Sequence, residues 1–198
     1  MKKFLFISFS FLLAFTLVAC SSNNETTPKT TTDKNEEVKD DIVDSSDILI
    51  TYYSYSGNTE EAAKEIQAQT NGVLSEITRN ESYPENYDDF TTIAEQEILN
   101  EETPDITMTV ENIEDYDVVF VGYPIWWNEA PAMIRTLLTE NDFTGKVIIP
   151  FCTSSSDGIE NSLDVFDLVK EDAEVKEGLR ISDYEEISDW LQKNGIVK

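Results

Sequence analysis

The sequence predicts an α/β protein with a doubly wound parallel sheet and helices on both faces. Three observations predict it. Continuous β-prone runs recur along the chain, as in strands covered on both sides. Between them lie segments whose apolar residues fall at helical spacing. The two patterns alternate about five times, and strands alternating with helices imply parallel pairing. No internal repeat is present.

The elements follow in order. Residues 48–53 (Ile-Leu-Ile-Thr-Tyr-Tyr) form a first strand buried on both faces, and residues 59–69 a helix with Ala62, Ala63 and Ile66 on one side. Residues 73–78 alternate apolar and polar, the pattern of a second strand. Residues 87–99 predict a helix with Phe90, Ile93, Ala94 and Ile98 inward. Residues 117–122 predict the third strand, and 130–138 a helix with Pro131 in its first turn, where the missing N–H costs nothing. Residues 146–151 predict the fourth strand, and 158–169 a helix carrying Ile159, Leu163 and Phe166. Residues 173–181 read as the last strand and 184–192 as the C-terminal helix.

Charge excludes several functions. The chain has 198 residues, with 14 basic against 40 acidic side chains and a net charge of −26. Such a polyanion repels phosphate backbones, so no nucleic-acid partner is expected. There is no histidine, which removes His-based triads and His-ligated metals. The two cysteines lie far apart and form no CxxC motif. Adjacent acids such as Glu60-Glu61, Glu101-Glu102 and Glu185-Glu186 read as solvated faces, and no metal site rises above them.

The N-terminus reads as a targeting segment. Lys2 and Lys3 precede an apolar run over residues 4–19, short of the ~20 residues that a membrane-spanning helix needs. The run ends Leu17-Val18-Ala19-Cys20, which resembles the lipobox of bacterial lipoproteins. That resemblance implies a signal peptide over residues 1–19, lipidation of Cys20, and attachment through the lipid alone to the outer face of a bacterial cell membrane. Residues 21–46 are polar and nearly free of apolar side chains, a composition that cannot offset its ordering entropy. As a flexible tether they would reach roughly 28 Å. Residues 47–198 are then the folded domain.

Ligands of doubly wound sheets bind beyond the C-terminal strand ends, where the strand order reverses. The loops after the first, third and fourth strands are therefore the places to look. The first is Ser54-Tyr55-Ser56-Gly57-Asn58-Thr59, rich in hydroxyl and amide groups and running into a helix N-terminus that favours an anion. It holds no Lys or Arg, so it is neither a Walker loop nor GxGxxG. A Ser/Thr-capped helix start without a ligand reads the same way. The second loop contains Pro124-Ile125-Trp126-Trp127-Asn128. Its adjacent tryptophans cannot both enter one core, and an indole face suits a planar aromatic ligand. The third is Cys152-Thr153-Ser154-Ser155-Ser156-Asp157-Gly158. Cys152 itself reads as a small core residue, since a reactive thiol needs a nearby cation and none is close in sequence.

Together these loops resemble the flavodoxin family, most closely the flavodoxin-like group with Ser-x-Ser-Gly-Asn-Thr after strand one and Pro-Ile-Trp-Trp after strand three. The resemblance covers residues 48–195. It implies a five-stranded doubly wound sheet of order 2-1-3-4-5 that binds FMN. By the same match, Ser54, Ser56, Asn58 and Thr59, with Tyr55 and Gly57 in the same loop, would hold the phosphate. Pro124, Ile125, Trp126, Trp127 and Asn128 would wall the isoalloxazine, together with Cys152, Thr153, Ser154, Ser155 and Gly158. Relatives often carry Arg at Tyr55, Gly at Asn128, and Gly at Ser155, Ser156 and Glu160. Where those glycines need φ > 0, the side chains here imply strain or another loop path. Tyr83-Pro84-Glu85-Asn86-Tyr87 reads as an anchored turn or as part of the flavin mouth.

The function implied is electron transfer by a membrane-anchored FMN protein, a monomer or weak dimer, with a redox protein or a quinone as partner. An uncharged cradle among many carboxylates makes an anionic reduced flavin costly, which lowers the cofactor's potential. Two alternatives stand beside it: an FMN-dependent NAD(P)H or quinone reductase, and a surface binding module without FMN.

Overall fold

The structure, a computed structural model, describes residues 47–198. The expectations for residues 1–19 and 20–46, Cys20 among them, lie outside the described residues. The elements are β1 (Ile48–Tyr52), α1 (Asn58–Thr70), β2 (Val73–Arg79), α2 (Tyr87–Leu99), β3 (Ile106–Met108), β4 (Val118–Pro124), α3 (Ala132–Glu140), β5 (Val147–Thr153), β6 (Glu174–Val175), β7 (Leu179–Arg180) and α4 (Glu185–Lys193). Two 3-10 segments, Ile113–Asp115 and Glu160–Leu168, complete them. Among the described residues no helix is long and apolar enough to cross a membrane.

β1 is buried along its whole length, and its side chains alternate between two cores. Ile48, Ile50 and Tyr52 meet Ala62, Ala63 and Ile66 of α1 and Ile187, Trp190 and Leu191 of α4. Leu49 turns to the other face, with Val119, Val121 and Tyr123 of β4 and Met133, Ile134 and Leu137 of α3. Each large aliphatic side chain among them stabilises the fold by ~1.5–3 kcal/mol on burial. This two-sided burial is why β1 and β4 read as unbroken apolar runs. Gly122 of β4 suits the packing: a Cβ there would collide with the buried Phe151 ring of the neighbouring strand.

The sheet is mostly parallel, in the order β3-β2-β1-β4-β5-β6, with β7 also on β5. It therefore has seven strands rather than the expected five, and the order departs from 2-1-3-4-5 at both edges. At one edge β3 pairs antiparallel with β2, Thr107 opposite Thr78. Three residues are too few to show a period, so the sequence carries no sign of β3.

At the other edge the expected strand over 173–181 is split. In β6 Val175 pairs with Ile148, but in β7 Arg180 pairs with Cys152, so the register slips by one residue between them. Lys176 N still donates to Ile148 O at 2.8 Å. The next ladder bond would come from the N–H of residue 150, which is proline and has none. The extra residue is taken up in Lys176-Glu177-Gly178, and pairing resumes with Ile181 N donating to Cys152 O at 2.8 Å.

Two helices also differ from expectation. The segment after β5 is a 3-10 helix, not an α-helix. Its Asn, Ser and Asp side chains compete for backbone partners, and Ser162 Oγ donates to Ile159 O at 2.7 Å while meeting the Tyr123 hydroxyl at 3.1 Å. In α2 the buried residues are Phe90, Ala94 and Glu97, whereas Ile93 is 38% exposed. The helix is rotated to bury an acid because that acid has buried partners, described below. The acid pairs Glu101-Glu102 and Glu185-Glu186 are exposed as expected.

Candidate functional site

The first loop leaves β1 and turns at Gly57, whose φ of +92° is the left-handed conformation that favours glycine. Gly57 N donates to Ser54 Oγ at 3.1 Å and Asn58 Nδ2 to Ser56 Oγ at 3.2 Å. Gly57 is itself the N-cap of α1, and no side chain caps the helix. The alternative of a Ser/Thr-capped start is thus not what the loop adopts. The first-turn N–H groups have no intrahelical acceptor, and the helix dipole adds positive potential there. Thr59 is buried, and its hydroxyl lies 2.8 Å from that of Thr153, tying α1 to the end of β5.

The third loop folds around Ser154. Its Oγ accepts from Asp157 N at 2.9 Å and from Ser156 N at 3.3 Å, and its carbonyl accepts from Arg180 Nε at 3.3 Å. None of Ser155, Ser156 and Glu160 has a positive φ. The loop runs through ordinary backbone there, so the side chains that stand where relatives carry glycine bring no strain. Ile125 N donates to Thr153 O at 3.1 Å, joining the second loop to the third.

In the second loop Trp126 and Glu129 exchange backbone hydrogen bonds at 3.0 and 2.9 Å around Trp127 (φ 49°) and Asn128 (φ 67°). Two successive positive φ values match a type I′ turn, and Asn is the residue after glycine that best tolerates them. The two tryptophans part company. Trp126 sits edge-on to Tyr53, Tyr55, Tyr83 and Phe90, with ring centroids 5.2–5.9 Å away. Trp127 is 43% exposed and borders a separate acidic cleft of about 540 Å³ with Glu101, Glu129, Arg135 and Asp164.

Beneath the aromatic cluster lies a charged network absent from the sequence reading. Arg79 Nη2 donates to Glu97 Oε1 at 2.7 Å, with both side chains largely buried. The Tyr83 hydroxyl donates to the other Glu97 oxygen, and the Arg79 guanidinium lies 4.7 Å from the Tyr83 ring centroid. Burial followed by that hydrogen bond pushes the Tyr83 phenol far above its ordinary pKa. The turn carrying Tyr83 is thus anchored by polar as well as apolar contacts.

A cleft of about 600 Å³ opens beyond the ends of β1, β4 and β5, within the size range of small-molecule sites. It gathers Ser56, Asn58, Pro124 and Ile125 with Thr153, Ser154 and Ser155. Nine other expected residues do not line it. Ser54 and Gly57 shape the first loop, Thr59 is buried at the β5 contact, and Tyr55 stacks on Phe90 at 4.5 Å. Trp126, Trp127 and Asn128 belong to the hairpin. Gly158 lies against the Glu160 carboxylate.

Cys152, the ninth, is fully buried in the core, and burial pushes its thiol up to about 12. Native protein treated with a thiol reagent at pH 8 is expected to leave Cys152 unlabelled by peptide mapping. Labelling should be complete in denaturant. Arg180 and Tyr184 also line the cleft and were missed. Arg180 lies 26 positions beyond Ser154, so no local pattern joins them.

A doubly wound sheet with a polar, donor-lined cleft beyond its C-terminal strand ends places the chain among the α/β proteins that bind ligands at that position. The chain belongs to the flavodoxin family, whose model matches residues 47–194. It is similar to the crystal structure of a candidate flavoprotein from Bacteroides eggerthii, at 35% identity and TM-score 0.67 over 75% of this chain and 97% of that one. A second, from Bacteroides uniformis, is 27% identical with TM-score 0.67, covering 74% of this chain and 98% of its own. A flavoprotein from Lactobacillus acidophilus, in complex with FMN, shares the fold at 24% identity and TM-score 0.63, over 73% and 98% of the two chains. A search of curated proteins found no match.

Proposed function

We propose that this protein is an FMN-binding electron carrier, held by lipidated Cys20 on the outer face of a bacterial membrane. The observation that carries the FMN reading is the cleft, which places hydroxyl and amide donors beside an uncapped helix start. That donor set fits a phosphorylated cofactor. Ser155, Ser156 and Glu160 need no left-handed backbone, which speaks against a module that has lost FMN, while Asn128 alone of the positions where relatives carry glycine holds a positive φ.

FMN, when bound, would supply reversible electron transfer; the protein supplies orientation and electrostatics. Ser56, Asn58 and the first turn of α1 would hold the phosphate. Pro124, Ile125 and residues 153–155 would border the rest of the molecule. Asp157 adds a carboxylate to the same cleft, within a chain of net charge −26. Negative charge near the ligand disfavours adding electrons to it, which suits a low-potential donor. The partner would be a redox protein or a quinone reached from the membrane surface, with the domain a monomer or weak dimer. The lipid anchor rests on Leu17-Val18-Ala19-Cys20 after the short apolar run.

The reading is tested by reductive titration of the FMN-loaded protein, compared with turnover on NAD(P)H and quinones. A carrier bleaches reversibly with dithionite, at a potential below that of free FMN, and consumes NAD(P)H no faster than free flavin. Rapid NAD(P)H oxidation coupled to quinone would make it a reductase. For the anchor, Cys20→Ala should release the protein from the membrane fraction or leave an unprocessed precursor. Processed protein retained on the membrane would contradict lipidation.

A further inference from the structure

We propose that Arg180 is a phosphate-binding residue of the cleft, adding a positive charge to the neutral donors that face a phosphomonoester dianion. The proposal rests on the FMN reading and adds a residue to it. The described residues contain three arginines. Arg79 pairs with Glu97 and Arg135 with Glu101, both as ion pairs. Arg180 pairs with no carboxylate among the described residues, although Asp157 lines the same cleft. Its Nε–H donates to Ser154 O, which fixes the side chain and leaves both terminal nitrogens without a protein acceptor among the described residues.

The strand defect is what puts it there. Were the β6 register continued, Leu179 would stand level with Cys152; the one-residue slip places Arg180 there instead. A slip of one residue exchanges the faces that side chains point to, and bulges recur where a side chain must be re-aimed. Leu179 accordingly packs on the α1/α4 core, and Arg180 lines the same cleft as Ser56 and Asn58. A guanidinium matches two phosphate oxygens at once. A local cation would also offset part of the long-range repulsion that a dianion meets on approaching a chain of charge −26.

The test is titration of the full-length protein and its variants with FMN and riboflavin, at two salt concentrations. Arg180→Gln should weaken FMN at least tenfold, leave riboflavin within twofold, and change the salt dependence of FMN binding. Arg180→Lys should recover part of the loss. Asp157→Asn should tighten FMN and leave riboflavin unchanged, a readout independent of how Arg180 variants fold. FMN affinity unaltered by Arg180→Gln, or an equal loss for riboflavin, overturns the proposal while wild-type FMN binding still stands. If the wild-type protein binds no FMN, the FMN reading fails. Inorganic phosphate then decides for Arg180: a thermal shift that Arg180→Gln abolishes upholds the anion site, and no shift in either protein overturns it.

Discussion

Replacing Glu97 by alanine is expected to lower the stability of the folded domain by about 3–5 kcal/mol, the usual cost of breaking a buried ion pair from one side. The Glu97 side chain is 4% exposed and that of Arg79 13%. Arg79 reaches one carboxylate oxygen through both Nε, at 3.2 Å, and Nη2, at 2.7 Å, and the Tyr83 hydroxyl takes the other. Burial works against the Arg79 charge, but the Glu97 hydrogen bond and charge outweigh it and hold its pKa above the ordinary value. Without Glu97 a partly buried guanidinium and phenol lose their shared carboxylate, leaving Arg79 with the Glu81 carbonyl and the Tyr83 ring face and Tyr83 with the Met133 sulfur. Glu97→Gln keeps the shape and some hydrogen bonding, so it should cost less than alanine. Urea unfolding at unchanged slope measures both. A loss below 1 kcal/mol for alanine would show that water reaches the pair.

The double variant Ser56→Ala/Asn58→Ala is expected to weaken FMN by one hundredfold or more while leaving riboflavin nearly unchanged. A hydrogen bond to a charged group contributes ~1.5–3 kcal/mol, or roughly ten- to hundredfold in affinity. Ser56 and Asn58 are bonded to each other, so single variants should not add up to the double. Thr59→Ala is a contrast. Its hydroxyl is engaged with Thr153 rather than facing the cleft, so it should cost stability and weaken FMN and riboflavin alike. Calorimetric titration of each variant with both ligands separates the two cases. Equal losses for both ligands in the double variant would place the phosphate elsewhere.

Much of this molecule is legible from residue order because local chemistry and tertiary packing agree over most of its length. β1 and β4 are covered on both faces and read as apolar runs. α2 was bounded from sequence at the same residues, 87–99, that the structure shows. What was not legible depends on partners distant in sequence. Glu97 looks like any surface acid of a charged helix until Arg79 and Tyr83 are seen beside it. β3 is three residues whose strand character comes from lying along β2. The split of the last strand follows from a proline on the neighbouring strand, which an isolated reading of residues 173–181 does not include. Arg180 was invisible for the same reason. The first and third loops were found because Gly57 and clustered hydroxyls are local signals. The tryptophans were found by type, but their placement, one among aromatic rings and one toward an acidic cleft, was set by the hairpin's positive φ values.

The most direct test of the central claim is titration of the purified full-length protein with FMN, followed by flavin absorbance and fluorescence, with riboflavin in parallel. The account predicts saturation at one FMN per chain, a shifted and sharpened flavin band, and much weaker binding of riboflavin. FMN whose absorbance and fluorescence stay those of the free cofactor in the presence of excess protein would contradict it.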